Sequence, residues 1–300
     1  MLLRMLRTLL SVLSLGILPS LGGTASIPSI PPHLVVAPPA LELQIATRLS
    51  ASGVVVIDAQ SGQRVFGKQY DVPRPIASLT KLMTALVIVE HHELSEVVRV
   101  PGGLKTFQSA VQLPAGEQFT VGDMLSAMLI ASANDAASTL AIHHSGSVDG
   151  FVQVMNDRAV ALGLEHTHFE NPAGFDGPTQ RSTPQEIAWL TMAALRQPFI
   201  QKRLSMRGAR IVSLQGSDIS LTNTHALLHR QGPVRAGKTG TTNGANQCLM
   251  SVVEESGRRY VVVLLDSLQR YVDMRTILDA MADLATPSTS VSMRPPLPSP

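Results

Sequence analysis

The pattern of apolar residues predicts a β-hairpin followed by a helix near the start of the folded body. Residues 53–58 form an almost continuous apolar run, which is typical of a buried strand. A Ser61-Gly62 turn and a short run at 63–66 predict that the chain returns as a second strand. Residues 78–90 carry apolar side chains at positions 79, 82, 83, 86 and 89, which is helical spacing.

Further helices and a second hairpin follow along the chain. Thr120 is placed to cap a helix that ends near residue 131, and another helix is predicted over 150–162. Thr183-Pro184-Gln185-Glu186 is a capping box that opens a helix to about residue 196. Two β-rich runs at 248–253 and 260–265, joined at Ser256-Gly257, predict a second hairpin before a closing amphipathic helix at 273–284.

This order of elements predicts an α/β protein of the α+β type. Strands at both ends with helices between them favour an antiparallel sheet whose first and last thirds assemble together. Helices would flank the sheet, and the middle of the chain would be a mostly helical insert. We expect the functional site where the sheet and the insert meet.

Composition indicates a folded protein with two loose ends. Of 300 residues, 44% are hydrophobic and 15% charged, which excludes overall disorder and a coiled coil. Arg4 and Arg7 before an uncharged run predict a secretory signal peptide at 1–25, with an uncleaved N-terminal anchor as the alternative. We expect a Pro-rich leader at 26–40, one folded domain at 41–285 and a disordered Pro/Ser tail at 286–300. The protein would then be exported, to the periplasm or beyond.

Charge, cysteine and histidine usage narrow the range of partners. A net charge of +2 without runs of like charge argues against a nucleic-acid partner. The single cysteine, Cys248, excludes an intramolecular disulfide and is expected to be a small core residue. The nine histidines include adjacent pairs at 91–92 and 143–144 and a His-x-His at 166–168, but no His-Glu-x-x-His. We therefore expect surface or helix-end histidines and no bound metal.

Three short motifs carry candidate chemistry, in the order Ser-Leu-Thr-Lys at 78–81, Ser-Ala-Asn at 132–134 and Lys-Thr-Gly at 238–240. With Ser78 at a helix start, Lys81 would lie one turn along on the same face. A serine hydroxyl is a weak nucleophile, and a lysine can take its proton only when neutral. Burial and the charge of Lys238 would lower the pKa of Lys81. Ser132 could relay a proton, and Asn134 offers an amide to a substrate peptide bond.

The same residues admit other interpretations. Ser-x-x-Lys alone is also typical of a capping serine beside a solvated lysine, but the combination with Lys-Thr-Gly is a signature of penicillin-recognising enzymes. Residues 232–239 also match the phosphate-loop pattern G-x-x-x-x-G-K-[ST]. That loop needs a buried strand before it and a helix after it, and neither is predicted. We therefore expect no nucleotide.

Several longer stretches resemble the D-alanyl-D-alanine carboxypeptidase family of low-molecular-mass penicillin-binding proteins. The resemblance covers about 52–284. Its segments are Ala-Ser-Leu-Thr-Lys-Leu-Met-Thr at 77–84, Ser-Ala-Asn-Asp-Ala-Ala at 132–137, Leu-Gly-Leu at 162–164, His-Phe-Glu-Asn-Pro-Ala-Gly at 168–174, Asn-Thr-His-Ala-Leu-Leu at 223–228 and Gly-Lys-Thr-Gly-Thr-Thr-Asn at 237–243.

The resemblance implies a β-lactamase/penicillin-binding transpeptidase-like fold that works on peptidoglycan stem peptides without a cofactor and is acylated by β-lactam antibiotics. Ser78 would be the nucleophile and Lys81 the general base, with Ser132 and Asn134 completing the site. Other groups would bind the substrate. Lys238 and Thr239 would hold its terminal carboxylate, with Arg270 as a weaker candidate for the same role. The backbone amides of Ser78 and Thr241 would bind the oxyanion.

The sequence departs from the family pattern in two places. Ala133 stands where many members carry glycine, a small change that the site should tolerate. The chain also ends after its closing helix, without the second β-rich domain and amphipathic anchor of many carboxypeptidases, which leaves membrane attachment open. This brings it near the shorter endopeptidases, which cut cross-links between stem peptides.

Three alternatives to a carboxypeptidase therefore stay open at this point. The first is an endopeptidase acting on cross-links. The second is a class A-like β-lactamase, which needs a deacylating glutamate such as Glu165 or Glu170. The third is a wall-binding protein without activity, which would tolerate loss of the motif residues.

The sequence also predicts how substrate is held. Residues 235–241 should form an edge strand, because the hairpin at 248–265 can occupy the interior of the sheet. The free edge could then pair with an extended stem peptide. Gly240 would let this ligand approach without a side chain in the way.

Overall fold

The computed structural model describes residues 45–104 and 111–285, which all fall within one compact unit. The predicted signal peptide, leader and C-terminal tail lie outside these residues. None of the helices in the described part of the chain is long and apolar enough to cross a membrane.

The centre of the fold is a five-stranded antiparallel sheet with the order β2-β1-β9-β8-β7. Both predicted hairpins are confirmed, and strands from the two ends of the chain pair with each other, Gly53 opposite Leu265. The five strands are β1 (Gly53–Asp58), β2 (Arg64–Lys68), β7 (Val234–Thr242), β8 (Asn246–Glu255) and β9 (Arg258–Ser267).

Both faces of this sheet are buried, which explains the continuous apolar runs in its strands. Val55 and Ile57 of β1 face the large core beneath the helical insert, whereas Val54 and Val56 face a smaller core beneath the C-terminal helix. Side chains of a strand alternate between faces, so a strand covered on both sides needs apolar residues at every position.

Helices fill most of the chain between β2 and β7, and one helix closes the fold. The four helices predicted in this stretch and the closing helix are confirmed to within a few residues. The α-helices are α1 (Lys81–His91), α2 (Val121–Ile130), α3 (Asn134–Ser145), α4 (Val148–Ala161), α5 (Pro184–Leu195), α6 (Pro198–Ser205) and α7 (Arg270–Ala285).

Several elements of the insert were not predicted. Helix α3 buries mainly small residues, so its apolar pattern is weak, and α6 is only eight residues long. Two small antiparallel pairs of strands are partly exposed, and their strands are too short for a clear alternation. They are formed by β3 (Val97–Arg99) with β4 (Gln118–Thr120), and by β5 (Gly208–Val212) with β6 (Asp218–Thr222).

The ends of the folded body are also joined by one buried carboxylate. Asp273 in α7 accepts hydrogen bonds from the backbone N–H groups of Ser50 (2.8 Å) and Ala51 (2.8 Å), and from the Ser267 hydroxyl (2.6 Å). These bonds hold the segment before β1 against the closing helix. The first and last parts of the domain therefore form one structural unit.

Candidate active site

Ser78 lies in a single 3-10 turn, Ala77–Thr80, immediately before α1. The sequence predicted that an α-helix would begin at Ser78, and this is wrong by three residues. Ala77 has a φ of 47°, in the left-handed region, so an α-helix cannot extend back through this residue. The Thr80 hydroxyl donates to Ala77 O at 2.8 Å and closes the tight turn.

Two glycines fix the position of this turn. A Cβ on Gly174, whose φ is +90°, would lie 2.0 Å from the carbonyl oxygen of Ala77. On the other side, a Cβ on Gly240 would lie 2.8 Å from the backbone nitrogen of Ser78. The expectation that Gly240 makes room for a ligand therefore needs correction, because that space is taken by the protein's own serine turn.

Lys81 is fully buried and its amine contacts the serine. Its Nζ lies 2.9 Å from Ser78 Oγ, 2.8 Å from Asn134 Oδ1 and 2.5 Å from the carbonyl oxygen of Ala173. The last two groups can only accept hydrogen bonds. A neutral amine has two N–H bonds for them and keeps its lone pair for the serine proton.

Ser132 and Lys238 form a second polar pair. Ser132 sits between α2 and α3 with a φ of 60°, an uncommon left-handed conformation for a residue other than glycine. The Lys238 amine donates to Ser132 Oγ at 2.8 Å and to Thr239 O at 2.9 Å. Strained backbone of this kind persists where surrounding contacts impose it, and it clusters at functional sites.

Burial disfavours two positive charges in this space. The pKa of Lys81 lies well below its ordinary value, mainly because the amine is desolvated and secondly because Lys238 is close. Asp135 acts in the opposite direction on the Lys81 pKa. Burial, followed by the charge of Arg270, also lowers the pKa of Lys238 to about 7. The direction predicted for the Lys81 pKa agrees with this burial, which favours the neutral form of the amine next to Ser78.

Strand β7 carries the Lys-Thr-Gly residues along the outer edge of the sheet, as predicted. The Thr239 hydroxyl donates to Thr224 Oγ1 at 2.6 Å, and the side chain of Thr241 is exposed. Because β7 is followed by β8 rather than by a helix, the phosphate-loop interpretation lacks its structural context.

Arg270 braces this strand from the first turn of α7. Its guanidinium donates to the carbonyl oxygens of Gly240 (2.8 Å) and Cys248 (2.9 Å) and to Thr241 Oγ1 (2.6 Å). The sequence suggested Arg270 for carboxylate binding. In the structure, Arg270 lies at one end of the site and hydrogen-bonds to Gly240 and Thr241 of β7.

The loop at 171–175 was missed as part of the site. Asn171 Oδ1 accepts hydrogen bonds from the backbone N–H groups of Ala173 (3.2 Å), Gly174 (2.7 Å) and Phe175 (3.0 Å). This turn aims the Ala173 carbonyl at Lys81. The Asn-Pro-Ala-Gly stretch was visible in the sequence, but a backbone carbonyl leaves no side-chain signal.

Asp135 was also missed. Its buried carboxylate accepts from the backbone N–H groups of Leu113 (2.5 Å) and Ala136 (2.8 Å). Desolvation raises the pKa of Asp135. The residue ties the segment at Leu113 to the start of α3, which holds Asn134 next to Lys81.

The two glutamates suggested for a β-lactamase do not contact the serine–lysine pair in the described part of the chain. The Glu170 carboxylate accepts from the Thr179 hydroxyl at 2.5 Å, and this bond lowers the Glu170 pKa. Glu165 is exposed. Among the described contacts neither carboxylate reaches Ser78 or Lys81, so the structure does not favour this alternative.

A serine hydroxyl beside a buried, neutral lysine, next to an open sheet edge, is the arrangement of an acyl-transferring serine enzyme. Comparisons with known proteins agree with this class. The sequence profile of the family "D-alanyl-D-alanine carboxypeptidase" matches residues 40–268. The chain belongs to this family of serine peptidases.

Individual relatives carry two different names. The chain is 33% identical over 217 residues to the D-alanyl-D-alanine carboxypeptidase DacB2 of Mycobacterium tuberculosis, covering 71% of this chain and 74% of the relative. It is 27% identical over 259 residues to the D-alanyl-D-alanine endopeptidase of Escherichia coli, covering 82% and 83%. A crystal structure of a D-alanyl-D-alanine carboxypeptidase from Mycobacterium tuberculosis matches with a TM-score of 0.73 at 29% identity, covering 80% of this chain and 93% of that one. The predicted fold class and family resemblance are thereby confirmed.

Proposed function

We propose that the protein is a serine-type D-Ala-D-Ala carboxypeptidase that removes the terminal D-alanine from peptidoglycan stem peptides through an acyl-enzyme on Ser78. The observation that carries this proposal is the buried Lys81 amine, which lies 2.9 Å from Ser78 Oγ and whose pKa is lowered mainly by desolvation. Family membership supplies the substrate class, a peptide that ends in D-alanyl-D-alanine.

Acylation begins when Lys81 takes the proton of Ser78 as its oxygen attacks the carbonyl carbon of the penultimate D-alanine. Negative charge develops on the carbonyl oxygen. The backbone N–H groups of Ser78 and Thr241 are our candidates to stabilise it, since β7 packs directly against the serine turn at Gly240. The Ala173 carbonyl and Asn134 Oδ1 keep the Lys81 amine pointed at Ser78 Oγ.

The leaving D-alanine needs a proton on its nitrogen when the peptide bond breaks. Ser132 is the candidate donor, because Lys238 Nζ at 2.8 Å can replace the proton that Ser132 gives up. Exchange with water then removes from Lys81 the proton that it took from Ser78 and restores the proton that Lys238 gave up, so Lys81 is neutral again. A water molecule attacks the ester while Lys81 takes its proton, and Lys81 passes that proton to Ser78 Oγ as the ester bond breaks. Lys81 thus serves the attacking oxygen, and Lys238 serves the leaving nitrogen.

Lys238, Thr239 and Thr241 are the candidate anchors for the substrate's terminal carboxylate. They lie along the outer strand β7, whose free edge can pair with an extended peptide. Arg270 supports them by its bonds to Gly240 O and Thr241 Oγ1 and adds positive charge nearby.

Labelling with fluorescent benzylpenicillin tests the nucleophile, since a β-lactam presents its carbonyl where the peptide would lie. We expect one covalent adduct on Ser78, found by tryptic mass spectrometry, and none in Ser78→Ala. Ser61→Ala, an exposed serine in the β1–β2 turn, is the matched control and should label normally. Rapid turnover of penicillin without a trapped adduct would instead point to a β-lactamase.

A D,D-endopeptidase that cuts cross-links is the second candidate, because two relatives of 27% and 28% identity carry that name. Both reactions would pass through the same D-alanyl enzyme and differ in the leaving group. Mass spectrometry of defined muropeptides separates them. A carboxypeptidase releases free D-alanine from monomeric pentapeptide, whereas an endopeptidase splits cross-linked dimers into monomers.

An exported protein fits this activity, because peptidoglycan lies outside the cytoplasmic membrane. The basic start and apolar run at 1–25 and the identity of the family support export. Cell fractionation with an antibody to the folded domain tests it. The protein should be found in the cell envelope or medium, and loss of residues 1–25 should retain it in the cytoplasm.

A further inference from the structure

Four histidines and one glutamate meet at the ends of α1 and α3 that point away from Ser78. His91 and His92 end α1, and His143 and His144 lie in the last turn of α3. The sequence predicted surface or helix-end histidines without a bound metal, and the structure places them at helix ends. The prediction treated each adjacent pair separately, and the packing of the two helices brings the pairs together with Glu96.

One oxygen of Glu96 is the centre of this cluster. Glu96 Oε2 lies 2.8 Å from His92 Nδ1 and 3.1 Å from His143 Nε2. Its other oxygen, Oε1, accepts from the backbone N–H of Glu93 at 2.7 Å, which fixes the direction of the carboxylate. One nitrogen from each of two histidines and one carboxylate oxygen thus lie within 4.8 Å of one another.

We propose that His92, His143 and Glu96 form a binding site for a divalent transition-metal ion of the Zn²⁺ type. Two histidine nitrogens and a carboxylate oxygen are a ligand set that such ions prefer, and they leave coordination positions for water. Around a tetrahedral Zn²⁺ with bonds near 2.0–2.1 Å, ligand atoms are separated by about 3.3 Å. The two distances to Glu96 Oε2, 2.8 and 3.1 Å, are slightly below that spacing. The two histidine nitrogens lie within 4.8 Å of each other and would adjust their separation around the ion.

The surroundings of the three ligands favour a cation. The second ring nitrogen of His92, Nε2, lies 2.9 Å from His144 Nδ1. Such a second contact orients a metal-bound imidazole and commonly affects affinity. His144 is itself held edge-on against Phe151, with ring centroids 5.4 Å apart. Both helices also direct the negative ends of their dipoles toward the cluster.

The ligands are accessible as well as close. The side chains of His92, His143 and Glu96 are 15%, 27% and 38% exposed, so an ion can enter without unfolding the chain. Binding would replace the protons now shared between Glu96 and the two histidines and release them to water. Since α1 and α3 each contribute a histidine, the ion would join the two helices.

Isothermal titration of the purified chain with Zn²⁺ tests the site. We expect one ion per chain, with affinity reduced by more than about 100-fold in His143→Ala and Glu96→Gln and by about 10-fold in His144→Ala. His168→Ala removes an exposed histidine outside the cluster and should bind as the wild type does. Stoichiometric binding that survives both His143→Ala and Glu96→Gln, or its absence in the wild type, would overturn the proposal.

Thermal unfolding gives a second measurement that does not depend on catalysis. At a Zn²⁺ concentration one hundred times the Kd, the midpoint of wild-type unfolding should rise by about 5 °C, and Mg²⁺ should not raise it. His143→Ala should unfold at a normal temperature without zinc and gain nothing from it. If zinc raised the unfolding midpoint equally in the wild type and His143→Ala, the cluster would be a hydrogen-bonded network and not a metal site.

Discussion

Helices α1 and α3 have polar clusters at both ends, and the two clusters differ in burial. At the N-terminal ends, Lys81 is fully buried and Asn134 contacts its amine. At the C-terminal ends, about 15 Å away by the rise of an α-helix, partly exposed histidines surround Glu96.

Burial decides what each cluster can do. An amine without solvent loses its charge and becomes a base, whereas imidazoles with partial access to water keep their nitrogens available for hydrogen bonds or a metal ion. The same pair of helices therefore carries a reactive end and a ligand-binding end. Four predictions test the reactive end, beginning with the largest expected effect.

Replacing Lys81 by arginine should slow acylation by penicillin about 1,000-fold. Arginine keeps the positive charge but cannot lose its proton at any relevant pH, so it cannot act as the general base. Stopped-flow labelling measures the rate. Lys202→Arg, at an exposed position in α6, is the control and should leave the rate unchanged. If Lys81→Arg retained most of the rate, the base would have to be another group.

A substrate whose terminal carboxylate is replaced by an amide should acylate the enzyme about 10- to 100-fold more slowly. Each charge-assisted hydrogen bond from Lys238 or Thr239 contributes about 1.5–3 kcal/mol, and tenfold in rate corresponds to about 1.4 kcal/mol. The ratio of kcat/KM values for the acid and the amide measures this. Equal values would remove carboxylate anchoring from the proposal and favour the endopeptidase.

Gly174→Ala should lower the free energy of unfolding by about 2 kcal/mol more than Gly216→Ala. Both glycines have positive φ values, +90° and +95°, so both substitutions strain the backbone. The added Cβ meets Ala77 O only at Gly174, whereas nothing lies within 4 Å of the Cβ at Gly216. Urea denaturation gives both values, and penicillin labelling should fall only in Gly174→Ala. Equal losses of stability would mean that the turn at Ala77 shifts to make room for the Cβ without lowering the free energy of unfolding.

The pH dependence of kcat/KM should be bell-shaped for the carboxylate substrate. Activity rises with pH as Lys81 loses its proton, because only the neutral amine is a base. Activity then falls as pH rises through about 7, because Lys238 loses the charge that holds the carboxylate. On the alkaline side, kcat/KM for the carboxylate substrate should fall several-fold. The amide substrate is the comparison. Its profile should decline less, because it has no carboxylate for Lys238 to hold and is slowed only by loss of the proton that Lys238 supplies to Ser132. Equal declines for the two substrates would mean that the charge of Lys238 does not hold the carboxylate.

Much of the fold could be predicted from the sequence because its signals are local. The apolar run at 53–58, the turn at Ser256-Gly257 and the proline after Thr183 each fix an element without distant contacts. Helix α3 escaped prediction because small residues such as Ala136 and Ala137 create its buried face through close packing.

The candidate site was predictable where its chemistry is carried by side chains in short motifs. Ser78, Lys81, Ser132 and Lys238 do meet, as their order suggested. The Ala173 carbonyl escaped prediction because backbone groups leave no composition signal. The histidine cluster escaped it because ligands from two helices and a loop meet only through tertiary packing.

The pairing of β1 with β9 has a consequence for the order of folding. Gly53 of β1 pairs with Leu265 of β9, so the centre of the sheet cannot form before β9 has been synthesised. The nascent chain therefore cannot complete its core until nearly the whole domain has been made. Until then β1 has only the β2 hairpin as a partner, and such a short hairpin is marginal in water. A nascent chain stalled before β9 should therefore remain sensitive to protease.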